Sequence, residues 1–281
     1  MKSNLSIMLK GFIIGSSMSV PGVSGGTMAI LLGIYDKLIG TISNFFKDIK
    51  ENIKFLMKFC IGAAVGIGSL AFVIKWLLEK FPIPVSFFFL GAVIGGIPAL
   101  YKKTKSSSIN ISSIIYFFIG LVIVISIGFI SVGKIDISSG SGLLHYFMLF
   151  VTGVCIALAL VLPGISTSHM LIVLGMYDDM LLAITKFDIV YIGMLGIATL
   201  IGIFLITKPL EWMMKQYAHQ TYCIIIGFVL GSTSEIFRGI IFPAIPNNAV
   251  LSWWIPTIII SLITFVLGYL SIVGLSRFSN D

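Results

Sequence analysis

The sequence predicts an all-α integral membrane protein built from two inverted-topology repeats, each a re-entrant helical hairpin followed by three transmembrane helices. Three observations support this fold class. Of the 281 residues, 58% are hydrophobic and 10% are charged, whereas a soluble domain carries about 25% charged residues. Six apolar stretches are long enough to cross a membrane. A sixteen-residue motif also occurs twice, once in each half of the chain.

The repeated motif marks the two predicted hairpins. PGVSGGTMAILLGIYD begins at Pro21 and PGISTSHMLIVLGMYD begins at Pro163, and nine of the sixteen positions are identical. Each copy interrupts an apolar segment with Pro, Gly and Ser, within residues 5–42 and 143–185. Because irregular backbone at membrane depth needs cover from protein or water, we predict a re-entrant hairpin in each segment. The alternative is that both arms of the second segment cross fully.

Three predicted spans follow each hairpin, since a crossing helix needs about 20 apolar residues. The first repeat then covers residues 1–138 and the second covers 139–281. An odd number of spans in each half turns the second half upside down relative to the first. The predicted spans lie at about 55–78, 83–101, 111–132, 187–207, 221–242 and 250–274.

The repeat continues beyond the hairpins at a shorter offset. Trp76 then matches Trp212, and GAVIG at Gly91 matches GFVLG at Gly227. These two GxxxG sequences predict close helix packing. Residues 43–58 place lysines on one helical face and apolar residues on another, which predicts either an interfacial helix or a solvated lead into the next span.

Positive charge predicts the sidedness. With both termini cytoplasmic, the inner segments hold all of the 18 Lys and Arg residues except five, as the positive-inside rule requires. The net charge of +7 is therefore a topology signal, and we expect no nucleic-acid partner. The five outer basic residues are Lys75, Lys80, Lys134, Lys186 and Arg238.

The sequence predicts neither a metal site nor a cofactor. Cys60, Cys155 and Cys223 lie in separate apolar runs, which indicates packing rather than disulfides or zinc ligation. His145 and His219 lie at span edges without metal-ligand spacing.

The tips of the two hairpins predict an anion site. Pro and Gly stop the first arm, and small hydroxyl residues open a second helix whose free amides point inward. Helix N-termini attract anions, and inverted hairpins bring such tips to the midplane in many secondary transporters. The alternative is that Pro-Gly-Ser merely caps a buried half-helix. The predicted phosphate-binding residues are Ser24, Gly25, Gly26, Thr27, Ser166, Thr167 and Ser168.

Charged residues in the apolar segments supply further candidates, because charge at membrane depth is costly and usually functional. The basic residues predicted to contact the phosphate are Lys75, Lys208 and Arg238. The candidates for proton coupling or charge pairing are Glu211, His169, Asp36 and Asp178. An exposed Asp beside an interfacial Tyr is the simpler interpretation of the two aspartates, and packing is the simpler interpretation of the histidine.

Two segments, GSSMSVPGVSGGTMAILLGIYDKLI and LVLPGISTSHMLIVLGMYDDML, resemble the bacterial undecaprenyl-phosphate translocases of the PopT type. The resemblance covers essentially the whole chain. It implies a transporter, not an enzyme, that returns undecaprenyl phosphate from the outer to the cytoplasmic leaflet for peptidoglycan and other envelope polymers. The implied partners are the polyprenyl-phosphate lipid and the bilayer of the bacterial inner membrane. The sequence leaves the oligomeric state open, a homodimer included.

Two other functions share these features. Membrane undecaprenyl-pyrophosphate phosphatases also have a Pro-Gly-x-Ser motif, but theirs continues with Arg-Ser and accompanies a glutamate-rich pair. Here Gly25 and Thr167 stand in place of that Arg, and Glu-x-x-x-Glu does not occur, so we predict no phosphatase activity. A small-anion transporter would use the same tips with a closed aqueous vestibule. For the lipid substrate, we expect alternating access around one central site.

Overall fold

The structure is a computed structural model, and it describes residues 2–18, 20, 23–105, 109–129, 143–248 and 250–278. Every regular element within these ranges is helical. Six helices are long and apolar enough to cross a membrane, and each overlaps one of the predicted spans. The prediction of an all-α membrane protein is confirmed. The boundary between two halves near residue 138 lies outside the described residues and stays a prediction.

The two halves contain the same order of helices. In the first half these are α1 (Lys2–Ser17), α2 (Gly25–Leu31), α3 (Tyr35–Ser43), α4 (Ile49–Lys80), α5 (Pro82–Lys103) and α6 (Ile111–Phe129). In the second half they are α7 (Leu143–Val161), α8 (Thr167–Val173), α9 (Tyr177–Thr185), α10 (Ile189–Gln216), α11 (Ala218–Ile236) and α12 (Leu251–Phe278). A π-helical turn, Phe237–Ile241, continues α11.

Each copy of the motif forms a seven-residue helix, α2 or α8, followed by a tight bend. The bends fall at Gly33 and Gly175, whose φ angles of 67° and 70° lie in the left-handed region that favours glycine. The axes of α8 and α9 differ by 112°. At about 1.5 Å per residue, neither helix alone reaches across roughly 30 Å of hydrocarbon. By length and composition the pair is either a broken span or a re-entrant loop, so the re-entrant hairpin stays a prediction.

Helix pairing follows one pattern in both halves. α1 packs along α4 as α7 packs along α10, and α5 packs along α12 as α11 packs along α6. Exchanging α1–α6 with α7–α12 leaves this set of pairs unchanged. Because the last two pairs join helices of opposite halves, neither half has its complete set of neighbours without the other.

The two GxxxG sequences allow the pairs between halves to approach closely. A Cβ atom on Gly91 would overlap the carbonyl oxygen of Phe265 on α12, and one on Gly227 would overlap that of Phe117 on α6. The predicted role of these sequences in close helix packing is confirmed.

Aromatic pairs mark the ends of α4 and α10 in the same way. The rings of Trp76 and Phe81 meet edge-on with centroids 6.4 Å apart, and those of Trp212 and Tyr217 do so at 5.3 Å. In both places the second ring belongs to the residue that directly follows the helix. Matched positions of the sequence repeat therefore hold matched positions in the fold.

Residues 43–58 do not form a separate interfacial helix. A 3₁₀ turn at Phe45–Lys47 ends the first hairpin segment, and α4 begins at Ile49. α4 has 32 residues, which is about 48 Å of helix and exceeds the roughly 30 Å hydrocarbon thickness. The second interpretation of this segment, a lead into the next span, is the one that the structure supports.

Candidate functional site

The two copies of the motif are in direct contact. The backbone N–H of Gly164 donates hydrogen bonds to Ser24 Oγ and Thr27 Oγ1, both at 2.9 Å. Ser24 also caps α2 by accepting a hydrogen bond from the Thr27 N–H at 3.1 Å. A Cβ atom on Gly26 would lie 3.2 Å from the Cα atom of Pro163, so the two backbones approach about as closely as a glycine allows. The expected convergence of the hairpin ends is present.

This contact occupies the hydroxyl groups of the first copy. Ser24 and Thr27 are only 5% and 1% exposed, and their oxygens also lie 2.9 Å from each other. Their main contacts therefore hold the hairpins together. The hydroxyl groups of the second copy are more accessible: Ser166 and Thr167 are half-buried and Ser168 is exposed.

A cavity of about 590 Å³ lies beside this contact. Small-molecule sites typically enclose about 300–1,000 Å³. Both motif copies contribute to its wall, together with the C-terminal ends of α6 and α11. The polar, charged and glycine residues that line it are Ser24, Gly25, Gly128, Ser166, Thr167, Ser168, His169, Tyr177, Glu235, Arg238 and Gly239.

Arg238 supplies a positive charge to the cavity. It lies in the π-helical turn that follows α11, an irregularity often found at functional sites. Its Nη1 donates to the carbonyl oxygen of Gly128 at 2.8 Å, and its guanidinium carbon lies 4.2 Å from the centroid of the Phe129 ring. Its Nε is buried and has no hydrogen-bond partner among the described residues. The arginine forms no ion pair with a described carboxylate, so its charge is available to an anion.

The α8 helix adds little charge of its own. Ser166 caps it by accepting a hydrogen bond from the His169 N–H at 3.3 Å. With seven residues, however, α8 aligns few peptide dipoles, and the macrodipole effect depends on their sum. Arg238 is therefore the main source of positive potential in this cavity.

The two copies of the motif differ in exposure. Tyr35 of the first copy is 2% exposed, and its hydroxyl donates to the carbonyl oxygen of Val161 at 2.7 Å. Tyr177 of the second copy is 41% exposed and lines the cavity. The structure is thus closed around the first hairpin and open around the second.

An ion pair closes the side of the first hairpin. Lys103 Nζ at the end of α5 lies 2.6 Å from Asp36 Oδ2 at the start of α3. The same ammonium lies 5.7 Å from the centroid of the Tyr222 ring. The pair therefore connects the first hairpin to the long helices at one end of the fold.

Residues 14–249 match a protein family described as undecaprenyl phosphate translocase-like. The chain belongs to this family. It is 34% identical to a polyprenyl-phosphate transporter of Staphylococcus aureus, over 98% of this chain and 96% of that protein. It is 29% identical to a polyprenyl-phosphate transporter of Vibrio cholerae, over 89% of this chain and 80% of that protein. No solved structure matches the chain. The resemblance seen in the sequence is confirmed.

In this member of the translocase-like family, two predicted basic residues lie outside the cavity. Lys75 is exposed on α4, where its Nζ lies 4.0 Å from the Glu79 carboxylate. Lys208 is exposed on α10. These two helices pack along α1 and α7, and neither lysine lines the cavity. We therefore leave both out of the proposed site.

The acidic candidates also lie apart from one another. Glu211 accepts hydrogen bonds from Asn44 Nδ2 at 2.9 and 3.0 Å and from Lys215, so it connects α10 to the end of the first hairpin. Asp36 pairs with Lys103, and Asp178 is exposed on α9. Only His169, among the four predicted coupling candidates, lines the cavity.

Glu235 closes the fifth predicted span together with Arg238, but it was not among the predicted site residues. It lines the cavity three residues before Arg238. A carboxylate and a guanidinium in one apolar span, at neighbouring positions of a helical surface, were the available signal. Among the described residues, the cavity included, no three His, Cys, Asp or Glu side chains form a group that could hold a metal ion.

Proposed function

We propose that the protein transports a polyprenyl phosphate across the bacterial inner membrane, with the phosphate head group in the cavity and the polyprenyl chain in lipid. The single observation that carries this proposal is Arg238, an unpaired guanidinium held in a cavity that both motif copies line. The transporter names of the two relatives agree with it and with the prediction of a non-enzymatic translocase.

The cavity lowers the main energetic cost of translocation, which is the loss of water around the phosphate. A phosphate that enters roughly 30 Å of hydrocarbon loses its hydration, at a prohibitive cost unless polar groups replace the water. Arg238 offers charge-assisted hydrogen bonds, which are about twice as strong as neutral ones. The hydroxyls of Ser166, Thr167 and Ser168 add neutral donors. The protein thereby provides a polar environment for the head group alone.

The rim of the cavity favours a lipid over a small soluble anion. Met18, Ile172 and Tyr177 line it and are 38%, 56% and 41% exposed. Exposed apolar side chains in a membrane bundle face acyl chains, so a prenyl chain remains in a favourable environment while its phosphate lies inside. A soluble anion needs no such apolar opening.

The proposed topology assigns the cavity and the Asp36–Lys103 pair to opposite sides of the membrane. With both termini cytoplasmic and two inverted repeats, the ends of α6 and α11 near Arg238 lie toward the outer leaflet. The Asp36–Lys103 pair then lies toward the cytoplasm. The conformation described above is accordingly outward-facing, ready to receive undecaprenyl phosphate for return to the cytoplasmic leaflet. Rocking of one repeat against the other would move the opening to the inner side.

The test is a translocation assay in proteoliposomes. Polyprenyl phosphate is placed in one leaflet, and its appearance in the other is followed with the wild-type chain, Arg238→Gln and the matched control Lys208→Gln. We expect Arg238→Gln to abolish translocation and Lys208→Gln to retain it, because Arg238 lines the cavity and Lys208 does not. Equal rates in Arg238→Gln and wild type would reject the cavity as the site.

A further inference from the structure

Glu235 is a carboxylate in the cavity wall, close enough to Arg238 and His169 for their charges to interact. It is half-buried, and it forms no hydrogen bond or ion pair with the described residues. The other titratable and charged groups that line the cavity with it are His169 of α8, Tyr177 of α9 and Arg238 of the π-helical turn. The parts of α6, α7 and the α1–α2 connection that line the cavity contribute only neutral residues.

An ionised Glu235 would repel a phosphate in the cavity, because both groups are negatively charged. A phosphate monoester carries about −1.5 to −2 charges near neutral pH, whereas Arg238 offers one positive charge that an ionised Glu235 would offset. Like charges repel strongly where water is excluded. A protonated carboxyl removes this repulsion, and its O–H can donate a hydrogen bond to a phosphate oxygen.

We propose that Glu235 takes up one proton when the phosphate head group binds and carries that proton with the substrate. The inference rests on the proposed function and adds the coupling ion to it. The proton comes from water in the cavity and adds to a carboxylate oxygen of Glu235. When the phosphate leaves on the opposite side, the carboxyl returns the proton to water there. Binding therefore weakens as pH rises, because fewer protons are available for uptake.

His169 is the competing candidate, and its contacts argue for a structural role. Its Nε2 lies 3.4 Å from the carbonyl oxygen of Ile127, so the imidazole has a protein acceptor when that nitrogen carries the hydrogen. Its counterpart in the first motif copy is Thr27, which bonds Gly164 across the contact between the two copies. In both copies this position contacts the protein itself, whereas Glu235 forms no hydrogen bond or ion pair with the described residues.

Proton uptake can be counted directly. The full-length protein in lipid nanodiscs is titrated calorimetrically with farnesyl phosphate, a short polyprenyl monophosphate, in buffers of different ionisation enthalpy. A pH of about 8 keeps the free phosphate fully ionised, since its second pKa is near 6. We expect wild type to take up about one proton for each phosphate bound, and its affinity to fall by up to about tenfold for each further pH unit.

The Glu235→Gln variant has the size and hydrogen-bonding capacity of a neutral glutamate. It should bind farnesyl phosphate without proton uptake and with an affinity that does not change above about pH 7, where the ligand itself is ionised. Glu79→Gln, which removes an exposed carboxylate on α4, is the matched control and should behave as wild type. His169→Gln should retain the proton uptake.

The outcomes separate the two proposals. A wild-type protein that binds the probe without proton uptake, or a Glu235→Gln variant that retains uptake, overturns the role of Glu235. A wild-type protein that does not bind farnesyl phosphate at any pH contradicts the proposed function instead. If Glu235→Gln does not fold, His169→Gln decides between the candidates, since loss of uptake in that variant would transfer the role to the histidine.

Discussion

Arg238 combines three features that are seldom found together within a membrane. It is positively charged, it forms no ion pair with a carboxylate of the described residues, and it is held in place by Gly128 and the Phe129 ring. A charge in a membrane helix is tolerated when it serves a function or reaches the interface. Here the stacked ring and the carbonyl fix the guanidinium, so its orientation toward a ligand involves little loss of side-chain freedom.

The shape of this side chain should matter in addition to its charge. Arg238→Lys retains one positive charge but loses the planar group that stacks on Phe129 and bonds Gly128. We expect the affinity for farnesyl phosphate to fall about tenfold, which is about 1.4 kcal/mol. Lys208→Arg, an exposed site on α10, should not change it. An Arg238→Lys variant with wild-type affinity would show that phosphate binding depends on the positive charge alone and not on the planar guanidinium.

The hydroxyls of the first motif copy should contribute mainly to stability. In a Ser24→Ala, Thr27→Val double variant, the Gly164 N–H loses both of its acceptors. A buried donor left without a partner costs about 1–3 kcal/mol, so thermal unfolding of the purified protein should shift to lower temperature. The Thr27→Ser variant retains the hydroxyl and serves as the control. A double variant as stable as wild type would mean that the contact between the two copies contributes nothing.

At the scale of the helix, the pairs between halves depend on glycine. Gly227→Ala would place a methyl group against the Phe117 carbonyl oxygen, and overpacking of this kind costs about 1–3 kcal/mol. Gly193→Ala on α10 has no neighbouring atom to meet, and alanine favours a helix by about 1 kcal/mol relative to glycine. We expect the first variant to unfold at lower temperature than wild type, and the second to be at least as stable. Equal stability of the two would contradict close α6–α11 packing.

The helices could be predicted from the sequence much better than the residues that line the cavity. Apolar length predicts six spans, and the Pro-Gly-Ser interruptions predict the two broken segments. Which side chains reach the cavity depends instead on the rotation of each helix about its axis. Lys75 and Arg238 are both basic residues in predicted outer segments, yet one is exposed on α4 while the π-helical turn places the other in the cavity. For the same reason, Glu235 could be recognised from the sequence as a charge of the fifth span but not as a residue of the cavity.

At the scale of the whole molecule, two matched positions of the motif copies differ in exposure, although other matched positions, such as Trp76 and Trp212, are exposed alike. Ile30 is 4% exposed, whereas its counterpart Ile172 is 56% exposed and lines the cavity. Tyr35 and Tyr177 show the same contrast. Under the proposed function, exchange of these environments between the two motif copies would give a second conformation of the same fold. That is the structural requirement for alternating access in proteins with repeated halves.

If this exchange occurs, the Asp36–Lys103 pair stabilises the present conformation. The two side chains are 46% and 30% exposed, and partly exposed pairs of this kind contribute about 0.2–1 kcal/mol. Asp36→Asn should therefore raise the population of the second conformation by up to about fivefold. In that conformation Ile30 takes the exposed environment that Ile172 has now.

Maleimide labelling can measure this population shift. The Ile30→Cys thiol, in a chain whose native cysteines are replaced by alanine, should react slowly alone and up to about fivefold faster with Asp36→Asn. The charge-exchanged pair Asp36→Lys, Lys103→Asp should restore slow labelling, because it re-forms the attraction in reverse. A Val229→Cys thiol, at a fully buried position, should remain slow throughout and so exclude general loosening. Unchanged Ile30→Cys labelling in Asp36→Asn would show that the ion pair does not control access to the first hairpin.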